Sequence, residues 1–115
     1  MSIEIAQTIQ NQLKATVGQA ILWSWGQSAL QALNGIQAQK LGIDNSIGAL
    51  KFKVNGHHHK GHVIISLNGL DTYDVYICNV RAGKMKIKDS VNGLYFDEFG
   101  DWIDTKVEKI EAYAY

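Results

Sequence analysis

Residues 60–80, KGHVIISLNGLDTYDVYICNV, decide the fold of this chain. Val63, Ile65 and Leu67 alternate along the first apolar run and fall on one face of an extended strand. The second run, from Tyr73 to Val80, is rich in β-branched and aromatic side chains, and no proline interrupts either run. Asn68, Gly69 and Asp71 between them are turn formers, because glycine tolerates positive φ and Asn/Asp side chains bond their own backbone. The stretch predicts a β-hairpin.

The same alternation continues on both sides. Upstream, Leu50, Phe52 and Val54 alternate with Lys51 and Lys53 before an Asn55-Gly56 turn. Downstream, Met85 and Ile87 alternate with Lys84, Lys86 and Lys88. Four sequential strands make an antiparallel meander, with Phe52, Val54, Val63, Ile65, Leu67, Met85 and Ile87 expected inward and the lysines outward.

Helical periodicity frames the strands. From Ser2 to Val17, the residues Ile5, Ile9, Leu13 and Val17 recur every four positions, and Glu4 sits in the first turn, where the helix dipole favours an acid. Phe96, Phe99, Ile103, Val107 and Ile110 carry helical spacing near the other end. In between, Ile21, Trp23 and Trp25 share one side if extended, the Ala/Leu/Gln composition predicts a short helix over residues 27–33, and residues 42–48 read as a loop. The expected architecture is an α+β fold: an N-terminal amphipathic helix, a four-stranded antiparallel β-meander, and a C-terminal helix packed on one sheet face. Residues 1–115 suit a single two-layer domain, a length at which one hydrophobic core forms without staples.

Composition narrows the class. An apolar share of 46% with 19% charged residues is that of a globular chain and argues against disorder. No run of about 18 apolar residues suggests a membrane span, and the first residues lack the basic start and apolar core of a secretory signal, so a bacterial cytoplasm is the expected compartment. Cys78, the only cysteine, stands within an apolar strand and reads as a small buried hydrophobe. The formal charge is zero, yet residues 51–88 are basic and residues 89–115 acidic. Such asymmetry fits a nucleic-acid surface, or two elements that neutralise each other in the fold.

Several residue groups could carry function, and each has a plainer structural reading. Lys51, Lys53, Lys60, Arg81, Lys84, Lys86 and Lys88 could contact phosphates from the open sheet face; edge strands also carry lysine for solubility. Trp23 and Trp25 could form a partner surface or fill the core. His57, His58, His59 and His62 invite a metal reading, but successive turn residues do not converge on one centre and Lys60 repels a cation, so no metal or cofactor is expected. Asp97, Glu98, Asp101 and Asp104 could pair carboxylates, and acids near a helix N-terminus are also what the dipole favours. No phosphate-binding loop, dinucleotide fingerprint, nucleophile elbow or paired-cysteine motif is present.

The segments IAQTIQNQL, LKFKV, VIISLNGLDTYDVYICNVRAGKMKI and GLYFDEF, in this order, resemble a family of small uncharacterised proteins encoded by bacterial phages, prophages and mobile elements. The resemblance covers about two thirds of the chain and centres on LDTYDV and YFDEF. It implies a genetic setting and no catalytic residue. The expected function is a non-enzymatic accessory protein that binds a host or phage protein, with nucleic-acid binding through the lysine-bearing strands as the alternative and a homodimer as a further possibility.

Overall fold

A computed structural model describes residues 2–18, 22, 25–43, 46–55, 60–81, 84–95 and 97–107. Helix α1 (Ser2–Thr16) is followed by β1 (Ser28–Asn34), α2 (Gly35–Lys40), β2 (Ser46–Asn55), β3 (Lys60–Asn68), β4 (Tyr73–Arg81), β5 (Lys84–Leu94) and α3 (Phe99–Val107). The strands form one antiparallel sheet in the order β1-β2-β3-β4-β5, so each strand pairs with its sequence neighbour. The fold is α+β, as the periodicities predict, with five strands where the sequence reading gives four.

The extra strand is β1. Residues 27–33 have a helical composition, but the segment from Gln31 to Asn34 pairs in register with β2 from Lys51 back to Gly48. Sheet pairing overrides a weak local propensity here. The helix begins only after it. Asn34 accepts the Gln37 N–H at 2.8 Å and its own N–H donates to Gln37 Oε1 at 2.9 Å, a reciprocal cap that starts α2.

Register fixes what is buried. Leu50 lies opposite Ile65 and Ile65 opposite Val75; Phe52 lies opposite Val63 and Val63 opposite Ile77. These side chains line one face, where α1 covers β1 and β2 and α3 packs near β4 and α1. Ile9 and Leu13 from α1, and Phe99, Ile103 and Val107 from α3, are fully buried against them. Each such side chain contributes roughly 1.5–3 kcal/mol of burial free energy. Both long helices thus sit on one face, and α2 adds a partial third layer on the other. There Leu33, Ala38, Ile43, Ala49, Ile64 and Cys78 form a second, smaller cluster.

Met85 and Ile87 do not join the large core. Arg81 pairs with Lys84, so Met85 falls opposite Val80 and Ile87 opposite Cys78, on the face of the small cluster. A bulge then shifts the register between Ile77 and Cys78, placing Asp89 opposite Ile77 and Val91 opposite Val75. The extra residue of a bulge reverses the alternation, and Val91 packs on the large core as a result.

The corner between β1 and α2 is tight. A Cβ on Gly35 would stand 2.6 Å from the Ser46 carbonyl oxygen, whereas one on Gly69 would meet nothing within 4 Å. Gly35→Ala is expected to lower unfolding free energy by about 1–3 kcal/mol in urea titrations, and Gly69→Ala to leave the midpoint nearly unchanged.

Candidate functional site

Trp25 is a core residue. It is fully buried, stacks on Phe52 with ring centroids 6.4 Å apart, and donates its indole N–H to Asp104 Oδ1 at 2.9 Å. Its carbonyl accepts the Asn55 N–H at 2.7 Å. The side chain therefore ties α3 to the sheet and offers a partner no surface in the folded chain. Trp23 lies outside the described residues. The Asp104 carboxylate is engaged by the indole, while Asp97, Glu98 and Asp101 are exposed at the start of α3. Glu98 accepts the Tyr95 N–H at 2.9 Å and returns its own N–H to the Tyr95 carbonyl at 3.0 Å, a capping role.

Five of the basic residues, Lys53, Lys60, Arg81, Lys84 and Lys86, share an end of the sheet rather than a face. Lys60 pairs with Asn55 and Arg81 with Lys84 at the strand termini; Lys53 and Lys86 stand two positions further in, opposite His62 and Asn79. Alternation sets Lys53 and Lys86 on opposite faces. Lys51 is half-buried in mid-sheet beside Ile64, and Lys88 sits at the β5 bulge. A continuous strip on one open face is therefore not formed. Three of the lysines, Lys84, Lys86 and Lys88, lie on the edge strand β5. His57, His58 and His59 are outside the described residues, among which no group of three metal-binding side chains converges.

The basic and acidic segments do not neutralise each other through an ion pair among the described residues. Their one ion pair, Lys106 Nζ to Asp89 Oδ2 at 3.0 Å, joins α3 to β5 within the acidic segment itself. Its hydrogen bond holds the Asp89 carboxyl below the usual carboxylate range. Lys106 also stands 5.5 Å from the Trp102 ring centroid.

The opposite end of the sheet, where β2 begins and β3 ends, carries the features that sequence reading does not find. The hairpin turn is built around Asn68, whose Oδ1 accepts the Leu70 N–H at 2.9 Å and the Thr72 N–H at 3.2 Å. Its amide Nδ2 donates to Thr72 Oγ1 at 2.9 Å and to Asp74 Oδ1 at 3.1 Å. Asp74 Oδ1 also accepts the Gly93 N–H at 3.0 Å, which ties the turn to the second bulge of β5. Asn68 and Asp74 are both buried. In Asp71 the backbone takes φ 63°, as an Asp in a tight turn can. Asn68, Leu70, Thr72, Asp74, Asn92 and Gly93 line a concavity of about 570 Å³.

Exposed apolar side chains stand toward the same end of the sheet. Leu70 is 85% exposed, Ile36 67%, Tyr95 62% and Ile47 54%. All four belong to the same end of the sheet: Ile36 follows Asn34, Ile47 follows Ser46, which pairs with Asn68, and Tyr95 follows Leu94, which pairs with Tyr73. Folding thus brings isolated residues toward the end of the sheet that holds the polar hollow, and Leu70 is one of the residues lining it. In sequence they lie up to 59 positions apart, and no local motif links them.

Cys78 is fully buried, and burial pushes its thiol up to about 11 from an ordinary 9.0. It suits packing rather than nucleophilic chemistry. Compared with known proteins, the chain matches no family model, no curated protein and no solved structure.

Asp74→Ala removes one acceptor from two donors and is expected to cost about 1–3 kcal/mol of stability, with the Gly93 amide losing its protection in hydrogen-exchange NMR. For Cys78, the folded state holds its proton more tightly than the unfolded chain, so the thiol contributes nothing to pH dependence below pH 9.0 and lowers stability as pH rises toward about 11. Denaturation of wild type and Cys78→Ala across this range should converge as the wild type loses stability. Tyr73, also raised by burial, is common to both proteins and cancels.

Proposed function

We propose that this chain is a non-enzymatic accessory protein of a phage or mobile genetic element, and that it acts by binding a host or phage protein through the Leu70 end of the sheet. The observation that carries the reading is the Asn68–Asp74 hollow lined by Leu70, which is 85% exposed, at an end of the sheet where Tyr95 is exposed as well. Apolar side chains exposed together favour association, because covering them removes their contact with water. A hollow with a fixed polar floor gives a partner side chain a defined seat, which separates recognition from mere stickiness. Tyrosine adds an apolar ring with a polar tip, a combination enriched at binding hot spots. The genetic setting is supported by the resemblance centred on LDTYDV and YFDEF, two motifs that contribute Leu70 and Tyr95 themselves.

Immobilised wild-type chain and the variants Leu70→Lys and Tyr95→Ala, exposed to bacterial lysate and read by quantitative mass spectrometry, test the idea. A saturable partner captured by the wild type should bind each variant about tenfold or more weakly, since a hot-spot truncation costs about 2 kcal/mol or more. Equal capture by all three proteins would remove this end as the contact.

One observation favours a second reading, nucleic-acid binding: strand pairing brings Lys53, Lys60, Arg81, Lys84 and Lys86 to the Asn55 end. Fluorescence anisotropy with single- and double-stranded oligonucleotides over a salt series decides it. Phosphate contacts must strengthen as salt falls, so an absence of binding at low salt would eliminate this alternative.

A further inference from the structure

We infer that β1 is the contact edge of a symmetric homodimer, in which it pairs antiparallel with β1 of a second copy and joins two five-stranded sheets into one. The strand has β2 on one side and no partner on the other among the described residues, so the groups of its outer edge are open to another strand. The regular ladder with β2 runs from Gln31 to Asn34. Ala29, at φ 53° in the irregular part of β1, marks where a regular outer ladder would stop.

Charge identifies the occupant. No charged residue stands between Lys14 and Lys40, so β1, α2 up to Gln39 and their approach are neutral throughout. Edge strands are commonly protected from association by lysine, and β5 at the opposite edge has Lys84, Lys86 and Lys88. The β1 edge has none. Two-fold antiparallel pairing sets a strand against itself, which any charge on the strand would oppose by bringing it close to its own copy. The sequence SALQALN meets that requirement. Exposed aliphatic side chains flank its regular ladder along the chain, Leu30 before Gln31 at 48% exposure and Ile36 after Asn34 in the first turn of α2. A second copy supplies equivalent apolar partners by symmetry, whereas docking on the β5 edge would set lysines against lysines.

This inference does not rest on the proposed function, which centres on Leu70 and Tyr95. Sedimentation velocity of the full chain over a wide concentration range should show a reversible monomer–dimer equilibrium that added salt does not weaken, because no charge pair holds it. The surface variants Leu30→Lys and Ile36→Lys should each raise the dissociation constant about tenfold or more, with circular dichroism and urea midpoints confirming that they fold. Leu70→Lys should dimerise like wild type. Hydrogen exchange at the β1 amides should slow as protein concentration rises.

A chain that stays monomeric at the highest concentration would overturn the inference, as would a dimer that salt dissolves or one indifferent to both β1-edge variants. Loss of a foreign partner on Leu30→Lys in an otherwise monomeric protein would assign the edge to that partner instead. Either failure leaves the Leu70 test standing on its own result.

Discussion

The register that sets Phe52 opposite Val63, and Val63 opposite Ile77, is the constraint on which the rest depends. Side chains alternate across a sheet with a period of two, so a slip of one residue would turn Leu50, Phe52 and Val54 to the other face. The helices would then lie on lysine. With the register in place, α1 and α3 share one apolar floor, and Trp25 closes it by stacking on Phe52 and bonding Asp104 of α3. An edge-to-face contact between Tyr73 and Phe99, with centroids 5.0 Å apart, fixes the start of α3 over β4.

The two bulges of β5 let one strand serve both cores. Before the first, Met85 and Ile87 belong to the side of Cys78 and Ile64; after it, Val91 belongs to the side of Val75. The second is tied to the hairpin turn through Asp74, whose buried carboxylate holds the Gly93 amide and the Asn68 side chain. A buried acid carries a desolvation cost, and donated hydrogen bonds offset it. That same network forms the floor of the hollow at the Leu70 end, so the element that stabilises the turn also shapes the surface beside it.

Surface character varies around this frame. Basic positions collect at the Asn55 end, apolar ones at the Asn68 end, and the two sheet edges differ in charge. The contrast matters more than net charge, which is zero and would suggest an indifferent surface. With no match to a known protein to lend a function, the case for binding rests on where these side chains stand.

Sequence alone determined the elements whose signals are local: the hairpin over residues 60–80, the amphipathic stripe of α1, the Phe99–Ile103–Val107 face of α3, and the burial of Cys78. Each depends on periodicity within one segment, which a linear reading registers directly. Tertiary structure decided the rest. Residues 28–34 became a strand because β2 offered a ladder that outweighed their weak helical preference, and Met85 changed faces because pairing across Arg81 and Lys84 set its register. Trp25 went to the core because Phe52 and Asp104 meet it there, and Leu70 came to line a polar hollow because Asn68, Asp74 and Gly93 are tied together beside it. These outcomes depend on contacts between segments, where burial and pairing outweigh the preferences of any single stretch.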